Sequence, residues 1–520
     1  MEALVLIVVL GATVLVGTTI GGRYSVAPPV LLITMGGLLA LLPPLSDVVL
    51  APEVVLLLFL PAVLYRESLV ISLREIRANL LVIASLAVAL VGVTMVGVSL
   101  VAQQLGLSPA AAWVLGAVLA PTDAAAVAGL AKRMPRRILT TLRAESLIND
   151  GTALVLFSVA VGLIAGGAAP GVLGFLGQFA GSAAGGVGAG LAIGLVVVLI
   201  RRRLDDPLRE GALSVLTPFT AFLLAEVVHA SGVLAVVVAG LVLSYAGPRI
   251  IRARSRVLAY AFWDLSTFLI NGSLFVLLGM QIPRAVESVT TKSVTQAVTI
   301  AVVVTGVVMA IRLVWVQLFS YGLPVVRRGP HVDRRVRLAA GWAGFRGAVS
   351  LAAALAVPVT TATGTPVRER DLIIFCTAVV IVSTILIQGT TLPAVVRWAG
   401  LRGDRERGDE VRRARVKATE AGLAALPEVA AELGVAPDAV DRLRGDYQRH
   451  LDDTAAAGEG EDADRARELD RRLRLGVLEH KRREVTRLRN ANEIDDSVLR
   501  EVQAAMDIEE IRLLGPESEE

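Results

Sequence analysis

The chain has 520 residues, 54% of them hydrophobic and 19% charged, at a mean hydropathy of +0.67. A soluble globular chain carries about 25% charged residues, so this composition excludes one and indicates a membrane protein. The net charge of +4 hides an uneven distribution: 52 of the 98 Asp, Glu, Lys and Arg side chains lie between Arg402 and Glu520, so an oily body precedes a polar tail.

Apolar runs of roughly 17 to 25 residues, bounded by arginine clusters or Pro/Gly breaks, predict about thirteen transmembrane helices. The first six run near Ala3 to Ile20, Ala27 to Leu42, Val48 to Leu64, Asn79 to Leu105, Ala110 to Ala131 and Ser146 to Gly166. The others run near Val172 to Ile200, Ala212 to His229, Gly232 to Ala246, Ala259 to Gln281, Val294 to Tyr321, Leu338 to Val357 and Leu372 to Trp398. The first run has no basic segment ahead of it and no cleavage site, so a retained span is expected rather than a removed signal. Residues 401–520 form a separate charged region with helical periodicity at Ala421 to Leu433, Arg465 to Arg489 and Asp496 to Leu514. The acidic stretch Thr454 to Asp464 reads as a flexible linker, and the whole tail as a regulatory or assembly element.

Basic side chains occupy every second connection: Arg23; Arg66, Arg74 and Arg77; Lys132, Arg133, Arg136, Arg137 and Arg143; Arg201 to Arg203 and Arg209; Arg249 to Arg256; Arg327 to Arg337. The intervening connections carry only Arg284, Lys292, Arg368 and Arg370. The positive-inside rule then puts the N-terminus outside and the tail in the cytoplasm. The fifth run is broken at Ala120 to Asp123 (APTD) and the twelfth at Gly344 to Gly347 (GFRG). An offset of seven spans reverses topology, so two inverted six-helix repeats are expected, with these two broken helices as counterparts.

A charge at bilayer depth costs about 2.5 to 3.5 kcal/mol or more, so each one is a functional candidate. Asp123 follows Pro121 and Thr122, where a break could offer carbonyls and a carboxylate to a cation; a kink with Asp123 as a helix cap is the plainer reading. The sixth run opens AESLINDGTALVLF, in which Glu145 and Asn149, and Ser146 and Asp150, are four apart, giving two stripes of oxygens on nearly one face. Such a set suits a monovalent cation that must also leave. Arg346 needs a carboxylate, and Glu145 is the expected partner in a structural ion pair. Arg312 either pairs with Asp264 or snorkels. Glu67 is a possible further site residue, and Glu226 reads as interfacial. The glycine run Gly185 to Gly194 mimics a nucleotide loop but has no preceding strand, and Gly186, Gly190 and Gly194 repeat every fourth residue, as in close helix packing. The single Cys376 excludes an intrachain disulfide and a cysteine-based metal centre, and His229, His331, His450 and His480 are scattered.

FLPAVLY (from Phe59), APTDAAAV (from Ala120), ESLINDGTALVLF (from Glu145), AEVVHASGVLAVVVAGLVL (from Ala225), FLINGSLFVLLGMQI (from Phe268), GFRGAVSLAAAL (from Gly344) and ILIQGTTLP (from Ile385) occur in that order. Together they resemble the NhaP-like bacterial Na⁺/H⁺ exchangers of the cation/proton antiporter superfamily, related to animal sodium/proton exchangers. The resemblance implies an all-α polytopic fold with crossed, discontinuous fifth and twelfth helices. It implies Asp150 as the shared site for sodium and protons, with Asn149, Ser146, Thr122 and Asp123 supplying oxygens or shaping the site, and sodium held by Asp150, Ser146 and Thr122. It also implies the Glu145–Arg346 bridge, a homodimer, and no cofactor beyond the transported Na⁺ and H⁺. Asn149 ahead of Asp150, where electrogenic relatives carry two aspartates, implies one-for-one exchange. Ala62 replaces the second proline of the family's third-helix motif and Arg66 intervenes before Glu67, so a ligand role is not carried to Glu67.

Desolvation lets a proton and a sodium ion compete for one carboxylate at cellular pH, and a cycle in which only loaded forms cross is obligatory exchange. Lithium is expected to follow sodium, and a K⁺/H⁺ exchanger of the same fold is the alternative. A potassium channel lacks support because no TVGYG filter occurs. An intramembrane protease using Asp123 and Asp150 as a dyad is the enzyme rival. No nucleotide or nucleic-acid signature occurs, and a bacterial inner membrane is the expected location.

Overall fold

The computed structural model describes residues 2–24, 26–43, 45, 52–71, 73–123, 134, 136–164, 172–287, 289, 292–322, 333–361, 364–367, 369–401, 405–455, 461–491, 493 and 496–514. These fall into two compact units, Met1–Gly403 and Asp404–Glu520.

Among the described residues the first unit's regular structure is helical, apart from one isolated bridge between Thr360 and Pro366. Its helices are α1 (Glu2–Tyr24), α2 (Pro28–Leu39), α3 (Leu60–Val70, preceded by a π-helical stretch Val54–Phe59) and α4 (Leu80–Gln104, with a π-helical stretch at Ser85–Ala89). There follow α5 (Pro109–Leu119), α6 (Arg136–Ile164), α7 (Val172–Arg201), α8 (Pro207–Val227), α9 (Gly232–Ile250), α10 (Ala253–Glu287) and α11 (Val294–Gly322). The unit closes with α12 (Arg334–Trp342), α13 (Ala348–Leu355) and α14 (Arg370–Trp398). Nine of the described helices are long and apolar enough to cross a membrane. The second, third, fifth and twelfth expected spans fall on shorter or interrupted helices: α2, the stretch ending in α3, α5, and the α12–α13 pair. Residues 124–131 of the expected fifth span lie outside the described residues, as do Lys132, Arg133, Arg327, Arg328, His331 and Arg368.

Buried apolar side chains form two clusters. The larger gathers α1, α2, α4, α5, one face of α6 (Leu142, Ala153, Leu156, Ala160), α10, α11 and the α12–α14 region. The smaller gathers α3, Ala144 and Leu147 of α6, and α7, α8 and α9 around Trp263. The glycine run in α7 serves this second cluster. A Cβ on Gly186 or Gly190 would meet the carbonyl oxygen of Ser231 at 2.5 Å or of Ala235 at 2.4 Å, so only hydrogen lets α7 and α9 approach this closely.

The second unit holds α15 (Arg405–Leu433), α16 (Pro437–Ala455), α17 (Glu461–Asn490) and α18 (Asp496–Leu514). They pack in sequence-adjacent pairs, α15 with α16 and α17 with α18. Leu478 and Met506 are buried, and Arg482 bonds Asp507 and lies 2.5 Å from Glu510. The expected linker Thr454 to Asp464 is narrower than composition suggests. Thr454 and Ala455 end α16, 461–464 begin α17, and 456–460 lie outside the described residues.

Candidate functional site

The site begins where helices stop. Ser108 caps α5, its hydroxyl accepting from the Ala111 N–H at 3.4 Å, and Pro109 occupies the first turn, where a missing N–H costs nothing. At the far end Pro121 has no N–H to continue the ladder, and residues 120–123 leave the helix. The later break spans 343–347, between α12 and α13, with Gly347 extended ahead of α13. The two breaks are joined directly: the Asp123 N–H donates to the Phe345 carbonyl at 2.9 Å.

Charges complement the exposed helix ends. Arg346, 1% exposed, donates from Nε to the Leu119 carbonyl at 3.1 Å and from Nη1 to the Gly344 carbonyl at 2.6 Å. These oxygens lie at the end of α5 and just beyond α12, where no helical N–H reaches. The Asp123 carboxylate lies against the start of α13, so close that a Cβ on Gly347 would meet Oδ2 at 1.8 Å. An acid there and an arginine at the end of α5 match the two helix dipoles.

The expected Glu145–Arg346 pair is replaced by another. Glu145, 1% exposed, accepts from both terminal nitrogens of Arg312: Nη1 bonds Oε1, and Nη2 bonds Oε2 at 3.1 Å. Gly344 makes this possible. A Cβ there would meet Arg312 Cδ at 2.1 Å, so the missing side chain opens the route from α11 to Glu145. Arg346 keeps Glu145 and Arg312 as electrostatic neighbours, but the two hydrogen bonds it donates, from Nε and Nη1, go to carbonyls. Arg312, 2% exposed, neither snorkels nor meets Asp264. Asp264 instead accepts from Arg66 Nε at 2.7 Å on an exposed face.

The two stripes of α6 divide their work. Glu145 and Asn149 face the crossing: the Asn149 amide donates to Thr122 Oγ1 at 2.8 Å, and Thr122 Oγ1 donates to Glu145 Oε1 at 3.1 Å. Asn149 Oδ1 is buried without a hydrogen-bond partner among the described residues. Ser146 and Asp150, the other stripe, line a cavity of about 60 Å³ together with Asp123, Glu67, Arg143 and Asn271. Apolar lining comes from Leu60 and Leu147 of the smaller cluster and from Val55, Leu274 and Ala348 of the larger, so the cavity lies at the seam between them. Asp150 is 6% exposed, with Asp123 as its electrostatic neighbour.

Asp150, Ser146 and Asp123 therefore reach the cavity, as does Glu67, whose Oε2 lies 4.0 Å from Arg143 Nε. Thr122 and Asn149 are drawn into the network behind it, with Glu145 and Arg312. Sequence reasoning missed two polar lining residues: Arg143, counted only as a cytoplasmic charge, and Asn271, whose signal was its place in FLINGSLF. Among the described residues no group of three or more His, Cys, Asp or Glu could hold a resident metal.

Comparisons with known proteins bear on the family and the fold. The family model described as "Sodium/hydrogen exchanger, transmembrane" matches residues 9–398. A Mycobacterium tuberculosis protein named as an uncharacterised Na⁺/H⁺ exchanger is 55% identical over 99% of this chain and 96% of its own length. The Na⁺/H⁺ antiporter ApNhaP of Aphanothece halophytica is 31% identical over 77% of this chain and 75% of its own. Among solved structures, the sodium proton antiporter MjNhaP1 of Methanocaldococcus jannaschii at pH 8 superposes with a TM-score of 0.60 at 21% identity, covering 76% of this chain and 98% of that one. At that identity the likeness carries the fold.

Proposed function

This chain belongs to the sodium/hydrogen exchanger family, multi-pass membrane transporters rather than enzymes, and on that premise we propose that it exchanges sodium for protons one for one at Asp150. The observation that carries this reading is a buried carboxylate lining a small cavity at the seam between two packed clusters, beside crossed half-helices. Burying a carboxylate penalises its charge, so Asp150 holds either a proton or a cation. Ser146 and Asp123 supply the neighbouring oxygens, and Thr122 and Asn149 hold them in place through the Glu145–Arg312 pair. Among the described cavity-lining residues Asp150 is left as the exchanging carboxylate, which supports electroneutral exchange, because Asn149 carries no charge, Asp123 faces the start of α13 and Glu67 faces Arg143. Transport then moves a six-helix group against a more rigid dimerising portion, exposing Asp150 alternately to each side.

Lithium is expected to share the site. A second reading, potassium/proton exchange, is supported by a Bacillus pumilus relative, 30% identical over 70% of this chain, named a sodium, potassium, lithium and rubidium/H⁺ antiporter. The basic connections support an N-terminus outside a bacterial inner membrane and a tail unit in the cytoplasm, where we expect it to act as a regulatory or assembly element. A homodimer is the expected assembly.

The test is cation-driven proton flux in proteoliposomes with voltage clamped, for wild type and Asp150→Asn. Saturable sodium-dependent flux, lost in the variant and indifferent to voltage, is expected. Potassium preference selects the second reading, and flux persisting in Asp150→Asn refutes the assignment.

A further inference from the structure

Two neighbouring residues, Glu369 and Arg370, hold the ends of the half-helices that lie away from the crossing. Glu369 accepts the Ser108 N–H at 3.0 Å on Oε1 and 3.1 Å on Oε2, and the Ser108 hydroxyl bonds Oε2 as well. Its carboxylate thus sits at the start of α5. Arg370 donates from Nε to the Val357 carbonyl at 2.7 Å and from Nη2 to the Leu355 carbonyl at 2.9 Å. Its guanidinium thus sits at the end of α13.

Both residues open α14, with Glu369 as its N-cap, and α14 packs against α5 and α13. Backbone hydrogen bonds between 359–361 and 364–367 precede them. Thr361 N–H donates to the Thr365 carbonyl at 2.8 Å, Val367 N–H to Val359 at 2.9 Å, and Gly364 takes a left-handed φ of +79°. With Arg346 and Asp123 at the inner ends, each half-helix has an acid at its N-terminus and an arginine at its C-terminus. Every one of these four charges has the sign that the local helix dipole favours.

We propose that Glu369 and Arg370 are positioning residues, a clamp that ties α5 and α13 to α14 so that both half-helices and their crossing move as one body through the transport cycle. Neither touches the transported ion. They act on it by fixing the separation of the half-helices that carry Thr122, Asp123 and Arg346. The proposal rests on exchange at Asp150, and wild type and Asp150→Asn are run alongside so that failure of that reading is seen separately.

The experiment measures sodium-driven proton flux across a pH series in proteoliposomes, at equal reconstituted amounts of folded protein. Glu369→Gln and Arg370→Gln should raise the half-saturating sodium concentration by roughly three- to tenfold and displace the pH profile. Arg370→Lys, with one donor group for two carbonyls, should recover part of the loss. Unchanged half-saturation and pH profile, or a loss confined to protein yield, would overturn the clamp. Should those variants not fold, Ser108→Cys/Glu369→Cys bridged through two disulfides by a short bis-methanethiosulfonate, which dithiothreitol cleaves, tests the same idea, since Cys376 is buried. Bridging should restore the wild-type half-saturation. Exchange that stops on bridging and returns on reduction would mean that the contact must open during the cycle, and would refute the proposal.

Discussion

The Glu145–Arg312 pair sets a measurable energy. Both side chains are at most 2% exposed, the carboxylate takes two guanidinium donors, and Thr122 adds a third. Removing one partner of such a pair leaves an uncompensated buried charge and costs about 3–5 kcal/mol. Arg312→Met should therefore lose about that much stability, with Thr122 as the remaining direct donor to Glu145 among the described residues. Adding Glu145→Gln removes the orphaned charge, so the double variant should recover about 2 kcal/mol or more as a coupling energy. Arg346 gives the control. Its donors reach the Leu119 and Gly344 carbonyls, so Arg346→Met should destabilise in its own right, by about 1.5–3 kcal/mol per bond, while coupling to Glu145 only weakly. The single cysteine, Cys376, is fully buried, so a thiol-reactive dye reports unfolding of the purified variants in detergent. A coupling of Glu145 to Arg346 larger than that to Arg312 would refute the assignment of partners.

Thr122→Val removes the hydroxyl that links Asn149 to Glu145 and should weaken sodium half-saturation about tenfold, the cost of about 1.4 kcal/mol, with protein yield little changed. Gly347→Ala puts a carbon 1.8 Å from Asp123 Oδ2 and should abolish flux, whereas Gly188→Ala, with open space around it, should transport normally in the same assay. Asp206 caps α8, accepting from the Arg209 and Leu208 N–H groups, and these hold its carboxyl below its usual 3.8. A depressed carboxyl stabilises the fold above its unfolded value and loses that contribution as pH falls through the folded one. The difference in melting temperature between wild type and Asp206→Ala should therefore be full at neutral pH and shrink below about pH 4, and a constant difference would contradict the cap.

Composition and periodicity alone determined the membrane class, the order of the helices, the two breaks and the separate charged tail. Each depends on local chemistry, such as apolar run length, a proline without an N–H, or a shift in charge density. The candidate carboxylate was equally legible, because Asp150 is costly at membrane depth wherever the chain folds. Which side chains meet was decided only by tertiary structure. Glu145 is buried whichever arginine serves it, and the choice of Arg312 over Arg346 follows from a glycine that opens a path and from the Leu119 and Gly344 carbonyls freed at the two helix breaks. The same holds for α6, whose two stripes are chemically alike in sequence. One lines the cavity and the other braces the crossing, because a helix has two neighbours there and its periodicity names neither.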